Sequence, residues 1–324
     1  MKRTLLVSLG LLLLIVGGAL ASPARITLHL PPRASGTTPP DAGRVARIQG
    51  TIDQLAGAIG ERNDTRPEAL VAAQSWCSAE FQAAGLTVTA ARVGDIASNI
   101  FAERGDAGTR PVVIVAAHLD TAIGAPGADD NASGVSAVLE LARNVNLGGG
   151  AHHLRYVLFA HEEPPHFQTD TMGSRQYATQ LAAQGAPIAA MYSLDSIGYY
   201  SDDADSQKWP IGLGIIMPRK GNFILFVTNP ASSRLLQDSL RRFREASTVL
   251  SVGASVPGAL PGVDWSDHAE FWRFEMPGVM VTDMPPHRNP NYHQGGDVPA
   301  TIDAVRIAAV VDGMEAVLKG FDAP

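Results

Sequence analysis

Residues 112 to 134 read VVIVAAHLDTAIGAPGADDNASG, and this stretch decides how the rest of the chain is read. Six consecutive apolar residues, Val112 to Ala117, are too short for a helix layer and rich in β-branched side chains. They fit a strand buried on both faces. The run ends in His118, followed by Asp120, a loop punctuated by Gly124, Pro126 and Gly127, then the acidic pair Asp129-Asp130 before a helix signal at Ser133. A strand delivering an imidazole and carboxylates into a tight loop, with a helix restarting directly after, is the grammar of an α/β site. Imidazole nitrogen and carboxylate oxygen are also the donor types that a divalent zinc-like ion takes.

The pattern repeats along the chain. Further apolar runs at Tyr156–Ala160, Ala190–Leu194, Phe223–Thr228 and Val279–Thr282 predict strands, and helical spacing falls between and after them at 133–145, 174–183, 232–246 and 302–318. Two helices, over 45–59 and 69–84, open the domain. The alternation predicts a three-layer α/β sandwich, with a twisted, mostly parallel sheet between helices. Glu162-Glu163 and Asp195 fall just past predicted strands, as His118 does, and open α/β sheets place their sites at those ends. Tyr292-His293 sits in a late loop after Asn-Pro-Asn.

Bulk properties narrow the class. The chain has 324 residues, 45% hydrophobic and 18% charged, which suits a globular protein with a large core, read as one domain over 43–324. A net charge of −7 without a dense Lys/Arg run argues against nucleic acid as a partner. Cys77 stands alone, so an intrachain disulfide is excluded, and a buried apolar role suits it. Residues 1–21 read as an export signal: Lys2 and Arg3 precede 17 uncharged residues, Leu5 to Ala21, ending in Ala-Leu-Ala. That length leaves cleavage and a membrane tether through residues 5–21 both open, and either places the domain outside the cytoplasm. Cleavage would take the net charge to −9. The Pro-rich stretch 22–42 reads as a linker.

Taken together, HLD at 118–120, GADDNASG at 127–134, the Glu162-Glu163 pair, LDS at 194–196 and NYH at 291–293 resemble the co-catalytic dizinc exopeptidases. That family contains bacterial leucyl aminopeptidase and, as a divergent branch, glutaminyl cyclase. The resemblance implies two Zn2+ ions held by His118, Asp130, Glu163, Asp195 and His293, with Asp130 shared between them and Asp120 orienting His118. It implies peptide substrates, Glu162 as the general base acting on a water shared by the metals, and Tyr292 as a stabiliser of the oxyanion. Cleavage at the peptide N-terminus is the first reading. Cyclase-type acyl transfer, a carboxypeptidase or dipeptidase on the same scaffold, and a non-catalytic binding module that has lost its metals are the alternatives. Arg273 and Arg288 are the candidates to hold a carboxylate in the second of these. Asp129 reads as a loop carboxylate beside the ligand, Ser266-Asp267-His268 as structural support near the site, and His152, His153, His161, His166 and His287 as surface or loop residues. The loop 164–174, PPHFQTDTMGS, is expected to overhang the site and select substrates.

Overall fold

The computed structural model describes residues 26–30, 36–209 and 216–322. Nine strands form one sheet among them: β1 Thr27–His29, β2 Thr87–Val93, β3 Ala97–Glu103, β4 Val112–His118, β5 His153–Phe159, β6 Ile188–Leu194, β7 Phe223–Thr228, β8 Leu250–Ser255 and β9 Gly278–Thr282. The α-helices among the described residues are α1 Ala42–Ile52, α2 Pro67–Ala83, α3 Gly134–Asn144, α4 Gly173–Ala183, α5 Ser233–Ala246, α6 His268–Trp272, α7 Pro285–Arg288 and α8 Ala304–Lys319. The sheet order is β1-β8-β7-β9-β6-β4-β5-β3-β2. Parallel pairing joins β4 to β5 and β6, β6 to β9, and β7 to β8, while β1, β2, β3 and the β7–β9 contact are antiparallel. Six strands therefore run one way and β3, β7 and β8 the other. The centre is the parallel set β9-β6-β4-β5.

The two faces of that centre follow from the pleat. On β4, Val113, Val115 and Ala117 pack into the large core beneath α1, α2, α3, α5 and α8, while Val112, Ile114 and Ala116 face the thinner layer of α4 and α6. Every residue of β4 is buried, which is why it reads as an unbroken apolar run. Helices thus cover both faces, giving the expected three layers. The helices begin where capping chemistry allows. Asp41 accepts from the Arg44 amide at 2.8 Å ahead of α1, Asp303 accepts from the Arg306 amide at 3.0 Å ahead of α8, and Pro67 opens α2. Gly85, at φ +79°, ends α2 and turns the chain into β2. The helix expected over 45–59 is two pieces, because after α1 the chain widens into a π-helical segment, Asp53–Ile59, closed by the Gly60 amide on the Leu55 carbonyl.

Three regions differ from expectation, one of them β8, where Ser251 and Gly253 break the apolar run that would mark a strand. Thr27–His29, inside the stretch read as linker, pairs with Ser255, Ala254 and Gly253 as an edge strand, because β8 offers it an open ladder. The antiparallel β2–β3 hairpin went unread because β2 is largely exposed and carries no apolar run. Residues 1–21, read as an export signal or anchor, lie outside the described residues. Among the described residues, no helix is long and apolar enough to cross a membrane.

Candidate metal centre

Because β6, β4 and β5 lie side by side and parallel, their C-terminal ends bring Asp195, His118 and Glu162-Glu163 together. His293 arrives from the loop beyond α7. All five expected donors, with Glu162, meet in one cluster. The Nε2 of His118 lies 3.1 Å from Asp130 Oδ1 and 3.4 Å from Asp195 Oδ1. The Nε2 of His293 lies 3.2 Å from the other oxygen, Asp130 Oδ2, and 3.3 Å from Glu163 Oε1. Asp130 therefore turns one oxygen to each of two His–carboxylate pairs. In each trio, the donor atoms fall within 4.8 Å of one another.

The donors fit metal ions. His118 Nδ1 lies 3.1 Å from the Asp120 carbonyl oxygen, so an N–H there donates and leaves the Nε2 lone pair facing the cluster. Glu163 Oε1 and His293 Nε2 are buried without a hydrogen-bond partner, an expense that a cation between them removes. Burial opposes protonation of His118 and His293, yet the surrounding carboxylates raise both. Asp195 and Glu162 lift His118 well above its ordinary value, and the neighbouring carboxylates of Asp130 and Glu163 bring His293 to about 10. Burial, reinforced by the charge of Asp130, pushes Glu163 up to about 7, and burial raises Glu162 strongly. So many buried carboxylates require positive charge close by, and two dications would supply it.

The support around these donors was less legible. The carboxylate of Asp120 accepts the amides of Glu162 at 3.1 Å and Glu163 at 3.0 Å, so it positions the glutamate pair, while its carbonyl serves His118. Asp297, unremarked in the sequence, accepts the amides of Asp129 at 2.9 Å and Asp130 at 3.1 Å. Asp129 is no solvated loop carboxylate: it is fully buried and accepts from the Gly198 amide and Asn289 Nδ2. Asn131 holds the end of β6 by donating to the Leu194 carbonyl while accepting from the Ser196 amide. Arg62 is fully buried and donates to the carbonyls of Leu55, Gly60, Leu119, Pro126 and Gly127, stitching the metal-bearing loop to the opening helices. No motif marks Arg62 or Asp297, since each acts through backbone groups remote in sequence.

Other expected residues fall as follows. The ring of Tyr292 stacks on His293 with centroids 3.8 Å apart, and burial with the Asp130 charge raises its phenol, which stays protonated and able to donate. Ser266, Asp267 and His268 are buried under the site, where Ser266 meets Ser193 at 2.9 Å and His268 Nε2 meets the Val263 carbonyl oxygen. Cys77 is buried, and burial pushes its thiol up to about 12. His153 and His161 are not surface residues but buried ones, because the pleat of β5 and the turn after it point them inward. Arg288 is also interior, its guanidinium lying over Phe223 and Tyr200 and donating to Gln207 and the Tyr199 carbonyl.

A mixed sheet carrying buried His and carboxylate donors at the ends of its central parallel strands defines a metallohydrolase of the zinc-peptidase type. The sequence model of Peptidase family M28 matches residues 99–318, about two thirds of the chain, and the protein belongs to that family. It is 31% identical over 280 residues to the uncharacterized protein YfbL of Escherichia coli K12, covering 83% of this chain and 85% of that one. It is 33% identical over 175 residues to the probable lipoprotein aminopeptidase LpqL of Mycobacterium tuberculosis, but spans only 34% of that protein's length and 51% of its own. Among solved structures, BSAP, a zinc aminopeptidase from Bacillus subtilis, shares the fold with a TM-score of 0.64 at 16% identity, over 85% of this chain and 94% of that one.

Proposed function

We propose that the protein is an exported aminopeptidase that works with two zinc ions, one held by His118, Asp130 and Asp195 and the other by Asp130, Glu163 and His293. The observation that carries this reading is the orientation of Asp130, whose two oxygens serve separate His–carboxylate pairs. When bound, the zinc ions supply Lewis acidity, polarising the scissile carbonyl and acidifying the attacking water. Glu162, buried beside His118, takes the proton of that water on its carboxylate and passes it to the leaving amine nitrogen. Tyr292 donates its hydroxyl to the oxygen that gains charge as the carbonyl is attacked.

Attack at the N-terminus is favoured by charge. A carboxypeptidase needs a free cation for the terminal carboxylate. Arg288 is buried against its aromatic shelf, donating to Gln207, and Arg273 lies 3.6 Å from Glu270. Export rests on the 1–21 segment of the sequence and on the lipoprotein described for LpqL.

The deciding measurement is hydrolysis of aminoacyl anilides, free and N-acetylated, before and after chelation and zinc return. Zinc-dependent cleavage of the free-amine substrates alone is the expected result. Equal cleavage of the acetylated set, or ammonia release from N-terminal glutamine without cleavage, would overturn the aminopeptidase reading.

A further inference from the structure

Apart from the donors just described, one more group of side chains among the described residues gathers metal-binding atoms: Asp64, His161 and His166. His161 Nε2 lies 3.0 Å from Asp64 Oδ1, and His166 Nε2 lies 2.6 Å from Asp64 Oδ2. The two imidazoles stack face to face, with centroids 4.0 Å apart and planes within 10°. His161 is only 4% exposed, yet neither of its ring nitrogens has a hydrogen-bond partner, and its backbone takes the left-handed φ of +58° to turn the ring into this spot. His166 is held at both ring nitrogens, Nδ1 meeting Thr171 Oγ1 at 2.8 Å and Nε2 meeting Asp64 Oδ2 at 2.6 Å; the tautomer that donates from Nδ1 to the hydroxyl turns the Nε2 lone pair, with the carboxylate, toward a shared cation.

We propose that Asp64, His161 and His166 form a metal site of their own, for zinc or a similar first-row divalent ion, separate from the site centred on Asp130. Two imidazole nitrogens and one carboxylate oxygen are a zinc-type donor set, and Asp64, more than a third exposed, leaves a position open to water. The ion joins three segments. Asp64 belongs to the turn that carries Arg62 and Asn63, both of which bond the backbone of the 119–127 loop. His161 directly precedes the Glu162-Glu163 pair, and His166 lies in the 164–172 loop that follows it. Its role is to pin that loop at the rim of the catalytic donors.

The test is zinc content of the full chain after gel filtration over a mild chelator, for wild type, Asp64→Asn/His166→Gln and Asp130→Asn, with hydrogen exchange across residues 164–172. The double variant is expected to hold one zinc fewer than wild type and to lose zinc-dependent protection of that loop. Asp130→Asn is expected to keep both the extra ion and the loop protection, which separates this site from the reading of the main centre. Equal zinc content in wild type and double variant across a titration, or loop protection indifferent to zinc, would overturn the proposal. His166→Gln alone, altering a half-buried side chain, provides the same comparison with at least a tenfold weaker ion if the double variant folds poorly.

Discussion

In the proposed mechanism the adjacent glutamates carry different burdens, and substitution separates them. Glu162 holds no donor contact with His293 or Asp130, whereas Glu163 Oε1 faces His293 at 3.3 Å. Glu162→Gln is expected to lower turnover by roughly 10²- to 10⁴-fold, the usual contribution of a positioned base, with zinc content unchanged. Glu163→Ala is expected to lose metal together with activity. A Glu162→Gln enzyme that loses zinc, or one that turns over normally, would contradict the division, and metal analysis beside a rate assay decides it. Arg62 offers a second test, since its guanidinium satisfies five carbonyls in a fully buried setting. Arg62→Met should cost at least about 3 kcal/mol of unfolding free energy, because several buried acceptors lose their donor together. A denaturant midpoint unchanged from wild type would show that water replaces the guanidinium. These residues also mark the limit of the sequence. His118, Asp130, Glu162, Glu163, Asp195 and His293 were legible because each follows a strand or sits in a recognisable loop phrase. Asp297 and Arg62 were not, because a side chain that bonds backbone from elsewhere in the chain leaves no local pattern.

The start of α3 shows how an element holds the donors. Gly134 comes so close to β6 that an added Cβ would meet the Leu194 carbonyl oxygen at 2.2 Å and Asn131 Oδ1 at 2.3 Å. Both contacts belong to the brace between Asp130 and Asp195, since Asp130 directly precedes Asn131 and Asp195 directly follows Leu194. Gly134→Ala is therefore expected to push α3 off the strand end, weakening zinc binding by tenfold or more while the far helices stay folded; unchanged zinc affinity by competition titration would refute it. Helix α6 carries a different signal. Burial lowers the His268 pKa from 6.5 to about 4, so the folded protein keeps this ring neutral where the unfolded chain protonates it. Its contribution is complete above about pH 6.5 and is lost as pH falls towards 4, worth about 3 kcal/mol at most. Burial raises Asp283 to about 7 and Asp297 to about 6, which acts with the opposite sign, their stabilisation being lost as pH rises through those values. The clean readout is thus the difference between wild type and His268→Gln in urea midpoint at pH 7 and 4.5, expected to shrink on acidification; a constant difference would exclude the histidine. At this scale, the central strands were readable because burial on both faces makes them continuous apolar runs. The edges β1 and β2 were not, since an exposed or three-residue strand is defined by its neighbour's open ladder, and neither were β3 and β8, whose runs are broken by Ser98-Asn99 and by Ser251 and Gly253.

For the molecule as a whole, the arrangement concentrates negative charge at one end of the sheet. Asp120, Asp129, Asp130, Glu162, Glu163, Asp195, Asp267, Asp283 and Asp297 are all buried there, and Arg62 and Arg288 are the buried arginines beside them. The large core under α1, α2, α3, α5 and α8 holds these groups in place, so the fold itself works against their mutual repulsion. Ions bound to the folded state and not to the unfolded chain relieve that repulsion and add stability that grows with the logarithm of their free concentration relative to the dissociation constant. At a free zinc concentration about a thousandfold above the dissociation constant the gain is about 4 kcal/mol, which for a domain of this size corresponds to roughly 8 to 16 °C in Tm. Chelation of the wild-type protein is expected to lower Tm by that order, and returned zinc to restore it, as followed by calorimetry. In Asp130→Asn the shared ligand is weakened and one buried charge is gone, so the metal-free variant should melt no lower than metal-free wild type and respond far less to zinc. If chelator and zinc moved both proteins equally, the stabilising ion would lie away from Asp130, and the repulsion at the strand ends would have to be relieved by protonation of the raised carboxylates instead.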